Sequence, residues 1–303
     1  MAEPVCVVPT GDRTGEGAVW HQSEKALYWG DINRFLIHRY DPATKAVRSW
    51  FFPEPVVAVA LTDRSDTLLV ALASKVILWQ PANDARADFS TPEKKAPRAR
   101  LNDGRPDPAG FFWVGSMQNN VAPDGGGIPI DDDGLGSLYR ISGDGHARTF
   151  KDGIGISNTL CWSPDRKHFY FADTPRNVMS VWDYDERNGR IANEQPFFSG
   201  FDRGEPDGSA VDASGHIWNA RFGGGCLVRL TPAGKIDRIV DMPVGNITTC
   251  TFGGPDLKTL YITTAQGGKG PVERLAGSLY SLAVDVPGLP ENKFRLNGNI
   301  KST

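Results

Sequence analysis

Two carboxylates and two carboxamides, Glu16, Asp207, Asn102 and Asn158, occupy matching points of this 303-residue chain. Each lies five residues ahead of a polar turn that leads into an apolar run. Their oxygens are hard donors, suited to Ca²⁺, Mg²⁺ or Mn²⁺, with Zn²⁺ also compatible. Two negative charges neutralise one divalent ion. Three or four protein ligands leave positions for water, which metal-assisted hydrolysis needs. Singly, each Asp or Asn would serve as well to cap a turn or bridge strands. Four at equivalent positions point to one shared centre.

The matching points exist because a phrase recurs. A small turn followed by an apolar or aromatic run begins at His21, Asp63, Asp107, Ser163, Asp212 and Gly254. After most copies comes a second strand-like run, such as GSLYRISGDG or CLVRLTPAGK. A period of roughly 40–50 residues with about four strands per unit is the pattern of a propeller blade. Such a blade buries its faces only against neighbours, and closing the ring protects the strand edges. The expectation is therefore an all-β, six-bladed β-propeller spanning residues 1–303 as one domain. The first copy begins too late for a full blade, so the N-terminal run VCVVP is expected to complete the last sheet. The positions five residues before each turn, Glu16, Ala58, Asn102, Asn158, Asp207 and Thr249, then fall on the innermost strands and converge near the axis. The longest interval carries an insertion at 119–135. Its Asp131-Asp132-Asp133-Gly134 lacks the alternate ligand spacing of a calcium loop and reads as a solvated turn.

Composition narrows the alternatives. The chain has 33 basic and 36 acidic residues, and no basic run interleaves with aromatics, which speaks against nucleic acid as a partner. MAEPVCVVPT lacks the features of a signal peptide, and no run approaches a membrane span. Cys6, Cys161, Cys226 and Cys250 are scattered, as expected of buried free thiols in a reducing cytoplasm. His21, His168 and His216 fall in or beside turns and read as exposed. No GxSxG elbow or zinc-type histidine pair is present. GGGIP and FGGGC do not precede a helical pattern, so they are not phosphate cradles. Asp173 reads as a residue that ties down a blade turn.

TGEGAVW, RLNDGRPDPAGFFWVGSM, ISNTLCWSPDRKHFYFADT and EPDGSAVDASGHIWNARFGGG together resemble the SMP-30/gluconolactonase (regucalcin-like) family over nearly the whole chain. The resemblance implies a propeller with one divalent cation in its channel, Glu16, Asn158 and Asp207 as metal ligands, and hydrolysis of aldonolactones such as glucono-, xylono- or arabinonolactone. It also implies that Arg100 and Asn102 contact substrate and that Asp207 serves as general base. Some family members carry an acidic residue after the GSM run. Here Gln118-Asn119-Asn120 follow, and Gln118 and Asn120 are the candidates to meet sugar hydroxyls, because amides both donate and accept. Arg221 is a candidate for a second substrate carboxylate. The competing readings are a non-enzymatic calcium-binding or regulatory propeller and a hydrolase of another ester or phosphoester. Oligomeric state is not readable from the sequence.

Overall fold

The computed structural model describes residues 2–267 and 273–297. The first strand is β1 (Val5–Val8). Blade 1 then holds β2 (Gly15–His21), β3 (Ala26–Asp31), β4 (Leu36–Asp41) and β5 (Ala46–Phe51). Blade 2 holds β6 (Val56–Leu61), β7 (Leu68–Leu72), β8 (Val76–Gln80) and β9 (Ala85–Ser90), and blade 3 holds β10 (Ala99–Pro106), β11 (Phe112–Gln118), β12 (Gly136–Ile141) and β13 (Ala147–Ile154). Blade 4 comprises β14 (Ser157–Trp162), β15 (His168–Asp173), β16 (Val178–Asp185) and β17 (Arg190–Ser199). Blade 5 comprises β18 (Glu205–Val211), β19 (Ile217–Phe222), β20 (Cys226–Leu230) and β21 (Ile236–Asp241). The last blade contains β22 (Ile247–Gly253), β23 (Thr259–Thr264) and β24 (Leu279–Ala283). These are six antiparallel sheets of four strands, the sixth completed by β1 on the outer side of β24. The molecule is a six-bladed β-propeller.

The burial pattern follows from this geometry. The inner strands β2, β6, β10, β14, β18 and β22 contact their neighbours around a closed ring, and nearly all their residues are buried. The outer strands β5, β13, β17 and β21 alternate or lie largely exposed. Between blades the core is aromatic. Trp50 and Phe52 meet Trp79 edge-on at 5.0 and 5.4 Å between blades 1 and 2, and Trp113 meets Phe169 at 5.4 Å between blades 3 and 4. Each large apolar side chain so buried contributes roughly 1.5–3 kcal/mol. Edge-to-face geometry adds to that.

The recurring turn has a specific lock. In DPAGFFW and DASGHIW the aspartate accepts from the tryptophan six residues on: Trp113 Nε1 on Asp107 at 2.8 Å and Trp218 Nε1 on Asp212 at 3.2 Å. The glycine between them takes φ of +92° at Gly110 and +81° at Gly215, where a side chain would be strained. Asp173 accepts from the N–H groups of Gly155 and Ile156 and pairs with Arg176, tying the top turn of blade 4. The four cysteines are free, and Cys161, Cys226 and Cys250 are buried. His168 and His216 are half-buried. His21 departs from the expectation of exposure: it is buried at the end of β2, where its Nδ1 accepts from the Glu24 N–H. Among the described residues no helix is long and apolar enough to cross a membrane.

Val5 and Cys6 pair with Ser281 and Tyr280 across β1 and β24. Deleting residues 1–8 leaves β24 an open edge. The truncated chain is expected to melt about 5–10 °C lower by calorimetry and to self-associate on size exclusion. An unchanged melting temperature would show that β1 does not carry the closure.

Candidate metal centre

Every inner strand breaks its pairing at the same height. The register shifts between Glu16 and Val19, Val56 and Ala58, Leu101 and Gly104, Asn158 and Cys161, Pro206 and Ser209, and Ile247 and Cys250. A bulge adds a residue on one strand and re-aims the side chains around it. Here six bulges form a ring, and Glu16, Ala58, Asn102, Asn158, Asp207 and Thr249 all lie within or at the edge of one. The backbone bears the cost: Gly17 and Thr159, directly after Glu16 and Asn158, adopt φ of +61° and +57°. A left-handed β-branched residue is rare and marks a position the surroundings over-determine. Gly208 has a different constraint, because a Cβ there would stand 2.0 Å from Thr249 Oγ1 on the next blade.

A chain of hydrogen bonds fixes the polar residues across three blades. Arg100 Nη1 donates to Asn102 Oδ1 at 2.8 Å, and Asn102 Nδ2 donates to Ser157 O at 3.0 Å and Asn158 Oδ1 at 3.2 Å. Asn158 Nδ2 donates to Thr174 Oγ1 at 2.8 Å, and the Thr174 hydroxyl in turn donates to Pro206 O at 2.7 Å. The Asp207 carbonyl is held by the Thr159 hydroxyl and by Asn219 Nδ2. Asn158 Oδ1 keeps a second lone pair, and the Asp207 carboxylate has the Gly208 N–H beside it and no side-chain partner. Glu16 Oε2 accepts from the Gly17 N–H at 2.9 Å.

The electrostatics are unusual. Burial, and then the neighbouring charge of Asp103, pushes the Glu16 carboxyl up to about 8. Burial, Glu16 and Asp103 push Asp207 well above the carboxylate range. No Lys, Arg or His side chain pairs with either carboxylate among the described residues; Arg100 and Arg105 act on Glu16 only through the field. Like charges brought together out of water need a counter-charge or a shared proton. Asp103 Oδ2, Ser157 Oγ and Thr249 Oγ1 are also buried without a hydrogen-bond partner. Two uncompensated carboxylates, an amide oxygen with a spare lone pair, and orphaned oxygens nearby fit a hard divalent cation with water in its remaining positions.

Of the other candidates, Arg100 and Asn120 come together: Arg100 Nε and Nη2 donate to Asn120 Oδ1 at 2.9 and 2.8 Å. This leaves the Asn120 amide N–H groups as donors. The Gln118 carboxamide is used on the inserted loop, where it donates to Pro129 O and accepts from the N–H groups of Asp131 and Asp132. The loop itself does more than the sequence indicated. From blade 3 it reaches the top of blade 1, where Asn33 Nδ2 and Arg13 Nη1 hold the Gly125 carbonyl at 2.9 and 3.2 Å. Gly125, at φ +80°, has room for no side chain there: a Cβ would lie 2.0 Å from Asn33 O. The crossing passes blade 2, the blade whose ring position is Ala58. Arg221 turns away from ligand duty, since its guanidinium donates to Asn219 Oδ1, Asn177 Oδ1 and the carbonyls of Arg203, Phe201 and Gly204.

Sequence reasoning missed Asp103. It sits in the blade-3 bulge beside Asn102, facing the N–H of Gly104 in its own bulge and those of Thr159 and Leu160 in the blade-4 bulge. An Asn-Asp pair where strict alternation would send one side chain away was the available signal. A second cluster of metal-ligand type, Asp12, Asp31 and His38, brings its atoms within 4.8 Å of one another in blade 1. The Arg34 guanidinium already fills it, with Nε on Asp31 at 2.5 Å and Nη2 on Asp12 at 2.9 Å, and Trp29 Nε1 donates to Asp12. That cluster is a latch with its cation built in.

Comparison with known proteins places this geometry in a family. Residues 14–266 match the model of the SMP-30/Gluconolactonase/LRE-like region. The chain is 37% identical to pentonolactonase XacC of Haloferax volcanii over 294 residues, covering 94% of this chain and 96% of that protein. It is 34% identical to the 6-deoxy-6-sulfogluconolactonase of Pseudomonas putida, covering 95% and 97%. Among solved structures, the calcium-binding protein regucalcin of Agrobacterium tumefaciens superposes with a TM-score of 0.88 at 28% identity, covering 96% of this chain and 97% of that one. With its motifs, its six blades and its ring of axial oxygens, the chain belongs to the SMP-30/gluconolactonase/LRE-like family.

Proposed function

We propose that this chain is a metal-dependent lactonase, a carboxylic-ester hydrolase that opens a sugar lactone, of the aldonolactone class exemplified by glucono-, xylono- and arabinonolactone, to the sugar acid. The observation that carries the reading is the Glu16–Asp207 pair: two buried carboxylates with no counter-charge, framed by Asn158 and Asn102. The lactonase names of the relatives support the substrate class, and the calcium-binding regucalcin supports a divalent ion.

In this reading Glu16, Asn158 and Asp207 hold one divalent cation. When bound, that ion supplies Lewis acidity to the lactone carbonyl. Asp207 accepts the proton of the attacking water, as a general base placed where the charge develops. Arg100 and Asn102 orient the lactone oxygens, and Arg100 is itself held rigid by Asn120. The free amide of Asn120 meets sugar hydroxyls, and Gln118 serves the same contact by pinning the loop that carries Asn120. Water adds across the acyl carbon, the ring C–O bond breaks, and the ring oxygen leaves as a hydroxyl after taking up a proton. A polar, hydrogen-bonded wall suits a polyhydroxylated substrate better than an apolar ester.

Two outcomes test this reading. Chelator-stripped protein is expected to lose acid release from a panel of sugar lactones and to recover it on addition of Ca²⁺, Mn²⁺, Zn²⁺ or Mg²⁺. Asp207→Asn is expected to lower kcat by about 10³-fold or more while leaving the melting temperature of the metal-free protein equal or higher, since the cost of burying and protonating that carboxyl is removed. Ion binding without hydrolysis of any lactone would make the chain a cation-binding protein instead. The second outcome concerns pH. Glu16 in the folded, metal-free chain holds its proton up to about 8, whereas unfolded it releases it near 4.5. Between those values the folded state binds more protons, so stability falls as pH rises. Thermal melts of the chelated protein should show wild type losing stability from about pH 5 to 8 relative to Glu16→Gln. Parallel curves for the two would show that Glu16 is not held protonated.

A further inference from the structure

The end of the channel opposite the ring is crossed by the segment 284–297. Residues 284–297 cross beneath the turns that follow the inner strands. Gly288 donates to Leu257 O, Ala213 donates to Pro287 O, Phe294 pairs with Leu61 and Asp63, and Arg295 donates to Gly110 O. At the centre of this strap is Glu291. Its Oε1 accepts from Thr251 Oγ1 at 2.6 Å and faces Arg105 Nη1 at 3.4 Å, and Asn292 Nδ2 donates to Pro106 O at 3.2 Å. Arg105 lies three residues beyond Asn102 on β10, and Thr251 lies two beyond Thr249 on β22, so Glu291 stands below the ring. A space of about 10 Å³ is bounded by Asp103, Arg105, Glu291, Asn292 and residues of β2 and β6.

The channel therefore carries a column of charges. Glu16 and Asp207 lie uppermost, Asp103 and then Arg105 lie below, and Glu291 closes the base. The members feel one another: Arg105 responds to Glu291 and Asp103, and Glu16 responds to Asp103 and Arg105. A half-buried guanidinium under the proposed cation site opposes the cation, yet Arg105 compensates Asp103. A second carboxylate on Arg105 resolves the conflict by cancelling its charge from below.

We propose that Glu291 is a positioning residue for the axial ion: through Arg105 it sets how tightly the ring holds a divalent cation, without touching that cation. This rests on the metal reading given above. The effect is electrostatic and weakens as salt rises, because Arg105 and Glu291 are only half-buried beside an open cavity.

The test is calorimetric titration of the full-length, chelator-stripped protein with Ca²⁺ and with Mn²⁺, alongside a thermal melt of each metal-free variant. Glu291→Gln is expected to weaken binding about tenfold. Asn292→Asp adds a negative charge at the same level and is expected to tighten it about threefold, a gain that damage to the fold does not produce. Thr251→Val removes the other anchor of Glu291 but keeps its charge, and is expected to lower the melting temperature while leaving the Kd within about twofold. If Glu291→Gln and Asn292→Asp both bind as wild type does, or if Asn292→Asp also weakens binding, the proposal is wrong. A Thr251→Val loss equal to that of Glu291→Gln would assign the effect to strap geometry and overturn it too. Wild type that takes up neither ion would overturn the metal reading itself, and the inference with it.

Discussion

Two carboxylates removed from water at the axis of a ring repel each other, and no basic side chain of the described residues is paired with either. Much of the centre can be understood as a response to that repulsion. Glu16 and Asp207 are both driven toward their protonated forms. The amides of Asn102 and Asn158 are oriented by a relay that starts at Arg100 and ends on the carbonyl of Pro206. Such an arrangement is poor as a structural core, because buried charged groups are often no more stabilising than apolar side chains of the same size. In the proposed reading a divalent cation offsets this cost, with the desolvated carboxylates as its ligands.

The blades supply the geometry that the ligands could not find alone. A regular strand sends neighbouring side chains to opposite faces, so an inner strand of ideal pleat would point few groups down the axis. Six bulges at one height change that, and each loosens backbone N–H groups that then need partners. Asp103 faces three of them. The same bulges force Gly17 and Thr159 into left-handed conformations, and they bring blades so close that Gly208 tolerates no side chain. Aromatic packing between blades and the pairing of β1 with β24 make the ring stiff enough to hold such strain. Two segments then cross between blades at the two ends of the channel: the 119–135 loop, latched at Gly125, and the 284–297 strap, centred on Glu291.

The propeller was legible because it is a periodic object. Turns of Asp, Pro and Gly punctuate apolar runs at a near-constant interval, and counting back from each turn reached the bulge of every blade. That count lands on Glu16, Asn102, Asn158 and Asp207, each within or at the edge of a bulge. What stayed hidden was non-periodic. Asp103 reads as one more residue of LNDG until the bulge shows that it and Asn102 share an end of the channel. Glu291 belongs to a segment without repeat character, and its place under the axis depends on where the strap crosses. Gln118 and Asn120 were both candidates by position; that Arg100 fixes Asn120 while the loop backbone engages Gln118 depends on how the insertion folds back. His21 looked exposed because turn residues usually are, and is buried by the packing beside it.

The account stands on a cation at the ring, and the most direct observation is where an ion binds. Crystals grown without metal and soaked in Mn²⁺ would locate it by anomalous scattering. The account predicts one strong peak on the axis, bound by Glu16, Asn158 and Asp207 with water in the remaining positions. A peak only at Asp12, Asp31 and His38, with Arg34 displaced, or no peak at either place, would contradict it.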